Sequence, residues 1–266
     1  MKIATWNINS IRKRVGNLTD WLQRARPDIV VLQEIKCQEP QFPRLEIEAA
    51  GYKCEIVGQK TFNGVAMLSR VPPLEVTARA LPGDDADVQS RYVEAKFMTS
   101  AGPLRIAGIY LPNGNPANTD KFPYKLGFMR RLRDRARMLM AEEELLAMGG
   151  DYNVCPTDQD VYDPAGWADD ALCRPESRNA FRAMLNLGMT DAYRCLHPTE
   201  HAYSFWDYQA GAWNKDNGLR IDHWLLSPQA TDRLRACDID KPERGRAEPS
   251  DHVPVWCELD AELLGV

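Results

Sequence analysis

Asp28-Ile29-Val30-Val31-Leu32-Gln33-Glu34 is the stretch that decides the fold. Its apolar centre leaves no polar face, so the segment reads as a central strand covered on both sides. Immediately before it, Pro27 stops a helix that runs from Ser10, its expected cap, to about Arg26. That helix turns Ile11, Val15, Leu18, Trp21, Leu22 and Ala25 to one face. Downstream, residues 53–57, 63–69, 74–79, 92–98 and 103–111 read as consecutive strands parted by Gly and Pro signals. A helix follows from about Tyr124 to Ala141, then a strand over 145–149 and a helix from about Arg178 to Leu187. Strands are expected near 202–206, 220–226, 234–239 and 253–259. Sheets covered by helices, with strands also meeting strands, predict an α/β chain folded as a four-layer α/β/β/α sandwich. No linker splits residues 1–266, so one domain is expected.

Polar residues punctuate the apolar runs in a repeated way. Asn7 follows Ala4-Thr5-Trp6, Glu34 follows the central strand, and Tyr110 ends 104–109. Asp151-Tyr152-Asn153 follow Leu145 to Gly150, Asp222 follows Leu219-Arg220-Ile221, and Asp251-His252 open 253–256. If these strands lie side by side, the polar ends meet on one rim, where open α/β sheets bind ligands. A mainly acidic set with one His, one Tyr and amides favours a hard divalent cation and phosphoester chemistry.

The chain has 266 residues, 44% hydrophobic and 27% charged, as in an ordinary soluble globule. No apolar run is long enough to span a membrane, so no membrane partner is expected. The N-terminus opens on a strand-like segment without a signal-peptide core, and the seven scattered cysteines contain no C-x-x-C pair. Both observations predict a cytoplasmic protein with free thiols. The net charge of −5 counts against a nonspecific nucleic-acid coat but leaves room for a local cationic rim.

Each motif has a plain structural alternative. Glu34 could be a solvated strand end, but the depth of its strand makes it the first choice of metal ligand, with Asn7 as an orienting amide. Gly149-Gly150 let the backbone turn abruptly or approach a ligand. Asp151 can orient and deprotonate a water that Asn153 holds; alternatively the segment is only an Asx turn. His252 is expected to be oriented by Asp222, with Asp251 as a second carboxylate on the metal side. The arginines of the 124–141 helix are better read as a solvated face than as a nucleic-acid surface. His197-Pro198-Thr199-Glu200-His201 fits H-x-x-E-H, but Pro198 favours a turn where zinc ligation needs a helix. Asp158, Asp160 and Asp163 lack the Gly and Glu of a calcium loop and read as a loop near the rim.

Taken in order, Thr5-Trp6-Asn7-Ile8-Asn9, Leu32-Gln33-Glu34-Ile35-Lys36, Tyr110-Leu111-Pro112-Asn113-Gly114, Gly150-Asp151-Tyr152-Asn153, Arg220-Ile221-Asp222-His223 and Ser250-Asp251-His252 resemble the exonuclease III family of apurinic/apyrimidinic endonucleases. That family lies within the DNase I-like endonuclease/exonuclease/phosphatase superfamily, and the likeness spans nearly the whole chain. Ser204 to Tyr208 and Gly218 to Asp222 are similar to the bacterial DNA-repair branch. The resemblance implies a Mg²⁺-dependent phosphodiesterase, with Mn²⁺ as an alternative, acting as a monomer on duplex DNA with abasic sites or blocked 3′ ends. It implies cleavage 5′ to the abasic site together with 3′-5′ exonuclease and 3′-phosphatase action. The implied catalytic residues are Tyr110, Asp151, Asn153, Asp222 and His252. Mg²⁺ is expected on Glu34, helped by Asp251 or Asn7. Arg12, Lys36, Asn113 and Lys121 are expected at the DNA, with Phe205, Leu219 and Ile221 forming a slot for a baseless sugar. Two departures stand out. Asn9 replaces an acid present in some relatives. Asn115-Pro116 replaces an inserting Arg, so Trp213 or Gln209 is the expected wedge. A superfamily cousin acting on another phosphoester would share the rim and differ at Phe205, Leu219 and Ile221. A non-catalytic module would have lost some of the acids.

Overall fold

The run around residue 29 does become a strand with no exposed residue, and the rest of the architecture is arranged about it. A computed structural model describes residues 1–265. In chain order the elements are β1 (Lys2–Asn7), α1 (Ile11–Ala25), β2 (Ile29–Gln33), α2 (Arg44–Ala49), β3 (Lys53–Val57), β4 (Val65–Ser69), β5 (Glu75–Ala78), β6 (Tyr92–Thr99), β7 (Gly102–Tyr110), α3 (Lys121–Met140), β8 (Leu145–Asp151), α4 (Pro175–Leu185), β9 (Thr190–Asp191), α5 (Ala192–Leu196), β10 (Asp222–Leu226), α6 (Pro228–Thr231), β11 (Leu234–Ile239) and β12 (Val255–Leu259).

Two six-stranded sheets result, ordered β11-β12-β1-β2-β4-β3 and β5-β6-β7-β8-β10-β9. Their inner faces share one core, in which Val31, Met67 and Val255 of the first sheet meet Ile106, Ala147 and Trp224 of the second. α1 and α2 seal the outer face of the first sheet through Leu18, Trp21, Leu22 and Ile47. α3 and α4 seal the second through Phe128, Leu132, Phe181 and Met184. Both faces of β1, β2 and β8 are therefore buried, and burying each large apolar side chain stabilises the fold by roughly 1.5–3 kcal/mol. This is the expected α/β/β/α sandwich.

The local reasons differ from the sequence expectation in four places. Ser10 makes no side-chain cap; it sits at φ 84 with its N–H on the Glu34 carbonyl, tying the start of α1 to the end of β2. Residues 202–206 form no strand. Instead Phe205 makes isolated bridges to Leu219 and His252. β10 starts at Asp222, two residues into the strand expected near 220–226. The two glycines of β8 serve packing, since a Cβ on Gly150 would lie 1.9 Å from the Ile109 carbonyl oxygen of β7. A Cβ on Gly149 would lie 2.5 Å from the Trp224 ring. The arginines of α3 are partly neutralised, Arg131 by Asp87 and Arg135 by the buried Glu94.

Candidate active site

Strand direction gathers the polar ends. β1 and β2 are parallel, as are β7 and β8, so Asn7 pairs with Gln33 and Tyr110 with Asp151 at the ends of their ladders. β10 runs antiparallel to β8 and starts where β8 finishes, with Asp222 opposite Asp151. The two sheets present these ends on the same edge. The bond that crosses between them is made by Asn7, whose Nδ2 donates to Glu34 Oε1 and to Asp151 Oδ2, both at 2.9 Å. Residues 144 positions apart in sequence thus meet around one amide.

Beside Asp151 lies a buried dyad. His252 Nδ1 is 2.8 Å from Asp222 Oδ2, and its Nε2 is 3.8 Å from Asp151 Oδ2. Burial alone would lower the His252 pKa, but the Asp222 and Asp151 carboxylates outweigh it and raise it to about 10. His252 is therefore an imidazolium at neutral pH, a donor on both ring nitrogens. Ser204 Oγ donates to the same Asp222 oxygen at 2.6 Å and receives the N–H groups of Ile221 and Asp222, fixing the carboxylate. Burial pushes Asp151 up to about 7; His252 and the Asn7 amide oppose the rise, and the Asp222 and Glu34 charges add to it. A carboxylate poised near neutrality suits a proton acceptor. Asn153 follows in left-handed backbone, φ 49, with its N–H on Asp151 Oδ1 at 2.9 Å. Burial, then the Glu34 and Asp151 charges, keep the Tyr110 phenol protonated well above its usual range.

The donor set fits a hard cation. Burial would raise Glu34, yet Lys36 and the Asn7 amide hold its carboxyl below the usual value. Lys36 Nζ lies 2.8 Å from Glu34 Oε2, so the place favours positive charge in the protein itself. Asp251 lies on the same cavity, with Oδ1 accepting from Asn9 Nδ2 at 2.9 Å. Asp222 Oδ1 is buried without a partner. Asp151, Asp222 and His252 also bring one ligand atom each within 4.8 Å of one another, close enough to hold an ion.

These groups open into a cavity of about 270 Å³ whose apolar wall includes Phe205, Leu219 and Ile221, as expected, and also Trp167 and Leu172. Phe205 sits edge-on to His252, with centroids 4.9 Å apart. Next to it, Arg12, Lys13, Arg14, Lys36 and Lys60 line a cationic groove of about 550 Å³. Asn113 joins the cavity and donates to Asn153 Oδ1 at 3.1 Å.

Some expected contacts are not brought here. Lys121 is exposed at the start of α3, outside the cavity wall. Trp213 lies outside the cavity lining, half-exposed, edge-on to Trp206 with ring centroids 5.1 Å apart and with Lys241 and Arg244 over its ring. Asp160 is no rim residue. Arg220 and Arg194 enclose it at 2.7 and 2.6 Å, beneath the Leu219–Ile221 wall. His197 lies beyond the end of α5 and pairs with Glu200, which removes the helical geometry a zinc site needs. Sequence reasoning missed Ser204, Trp167, Leu172 and Lys125. The first stands beside a residue already singled out; Lys125 had a signal in its spacing, three residues after Phe122 and three before Phe128.

A model of the endonuclease/exonuclease/phosphatase family matches residues 4–252. Exodeoxyribonuclease III of Haemophilus influenzae is 33% identical, over 97% of this chain and 100% of its own. The solved 3′ phosphatase NExo from Neisseria, bound to a product DNA hairpin, is 37% identical with a TM-score of 0.93, covering 98% of this chain and 99% of its own. An AP endonuclease from Archaeoglobus fulgidus is 32% identical with a TM-score of 0.92, covering 98% and 99%.

Proposed function

The chain belongs to the endonuclease/exonuclease/phosphatase family, among its exodeoxyribonuclease III-type DNA-repair nucleases, and on that premise we propose that it hydrolyses the backbone of duplex DNA on the 5′ side of abasic sites. The same centre would clear 3′ phosphates and 3′ nucleotides, because the bond class is unchanged. The observation that carries this reading is the join between chemistry and selection: the Asn7-Asp151-His252-Asp222 chain of contacts borders a cavity with an apolar wall of Phe205, Leu219 and Ile221.

The cationic groove would track phosphates without reading sequence. A sugar lacking its base fits between Phe205, Leu219 and Ile221, where an attached base clashes. Asp151 orients and deprotonates the attacking water, and Asn153 holds it. His252, held by Asp222, donates to the phosphoryl oxygens as their charge grows, and Tyr110 donates beside it. Glu34, with Asp251 or Asn7, would hold Mg²⁺; when bound it supplies charge that neutralises the phosphate. Water adds to phosphorus, the bond to the 3′ oxygen breaks, and the products are a 3′-hydroxyl and a 5′-deoxyribose phosphate. We further propose that the protein acts as a monomer in the cytoplasm, a reducing compartment that suits its six buried free thiols.

The test is product mapping on a 5′-labelled abasic duplex. The proposal expects one cut whose 3′ end a polymerase extends directly. A blocked, unextendable 3′ end would point to lyase chemistry instead, and an uncut abasic duplex beside a hydrolysed small phosphodiester would move the activity off DNA.

A further inference from the structure

Lys125 lies on the inward face of α3 and is fully buried. Helical spacing asks for an apolar residue here, between Phe122 and Phe128. Burial lowers the ammonium pKa to about 7, against the pull of Asp151 and Asp170, so the position costs stability that Leu or Met would not. What the side chain does instead is local. Its Nζ donates to the Asn113 carbonyl at 3.0 Å and to the Asn153 carbonyl. These two residues are themselves joined, Asn113 Nδ2 to Asn153 Oδ1 at 3.1 Å. Asn153 is further fixed through Leu111, whose carbonyl takes its Nδ2 at 2.9 Å. The stem of Lys125 fills the space under Gly114, where a Cβ would lie 2.7 Å from Lys125 Cδ and 3.2 Å from Ala171 Cβ. One buried cation thus pins the loop after β7 to the turn after β8, in which Asn153 sits in left-handed backbone, φ 49.

We propose that Lys125 is a positioning residue of the hydrolytic step: by holding the Asn113 and Asn153 carbonyls it sets the direction in which Asn153 presents its amide to the cavity. The inference rests on the cavity being the hydrolytic centre. It separates a role through Asn153 from a role in packing, because a residue acting through another loses its effect when that other is removed.

The experiment is a double-mutant cycle read by single-turnover cleavage of abasic duplex and by DNA affinity, with Lys125→Met, Asn153→Ala and the pair. Lys125→Met is expected to slow the chemical step by roughly 50-fold while DNA affinity changes less than about threefold. In the Asn153→Ala background the same change is expected to cost less than about threefold. Should Lys125→Met fail to fold, Lys125→Gln takes its place, since its amide can still donate to one carbonyl. Equal losses in both backgrounds, a loss that appears only in affinity, or failure of both variants to fold would make Lys125 a structural residue and overturn the proposal. Wild-type protein that leaves abasic duplex intact would instead remove the parent reading.

Discussion

Asp222→Asn is the substitution that most sharply separates a charged donor at His252 from a packed one. Asparagine keeps the shape and an oxygen able to accept from Ser204 and His252, so the changes at the 2.8 Å contact are the loss of charge and of a second acceptor. A unit charge pair about 4 Å apart is worth about 4 kcal/mol at an effective dielectric near 20, or roughly three pKa units at 1.36 kcal/mol each. Removing it while burial persists should bring His252 from about 10 to roughly 7. At about pH 8 the variant then keeps roughly a tenth of its imidazolium, and the amide also tolerates the wrong ring orientation. A total loss of about 10²- to 10⁴-fold in single-turnover rate is expected. The assay is cleavage of abasic duplex by both proteins across about pH 6–9, plotted as the ratio of their rates. The ratio should climb about tenfold per pH unit above roughly pH 7, because only the variant deprotonates in that range. A ratio flat with pH, or a loss below about tenfold at pH 8, would refute the imidazolium assignment.

Three other perturbations follow from named contacts. Asp160→Asn strips a charge from between Arg220 and Arg194 and should cost about 3–5 kcal/mol, seen by calorimetry as a melting point lower by about 10 °C. Burial would raise Asp160 and Asp191, but the Arg220 guanidinium holds both below their ordinary range. Their stabilisation is therefore present above about pH 4 and lost as pH falls through the depressed folded values, so wild type and Asp160→Asn should converge in melting temperature toward about pH 2. Phe205→Ala opens the slot and should cut the preference for abasic over intact nucleotides by about tenfold, measured as a kcat/KM ratio.

The parts of this site that could be read from sequence were those where periodicity and polarity changed together. Asn7, Glu34 and Asp151 stand at the ends of runs too apolar for anything but buried strands, and parallel pairing then forces them to one edge. The Asp222–His252 pair was legible because an isolated buried imidazole makes little sense without a carboxylate. What escaped were interactions set by irregular backbone. Phe205 is expected at the slot from the resemblance, but the strand expected near 202–206 is absent and it reaches the cavity through single bridges. Trp213 packs against Trp206 with Lys241 and Arg244 over its ring, contacts between loops that no local pattern announces. Asp160 looked like a loop acid because its partners lie 34 and 60 residues away. Lys125 reads as one more cation on a basic helix; its spacing between Phe122 and Phe128 hints at the inner face, and the fold shows it fully buried there.

The central claim, one metal-assisted centre built from dispersed strand ends, is tested most directly by titrating Mg²⁺ into metal-stripped protein and following single-turnover cleavage of abasic duplex for wild type and Glu34→Ala. Wild type is predicted to be silent in chelator and to saturate with Mg²⁺, while Glu34→Ala regains part of its rate only at about tenfold or more higher Mg²⁺. Full cleavage in chelator, or superimposable titrations of the two proteins, would contradict it.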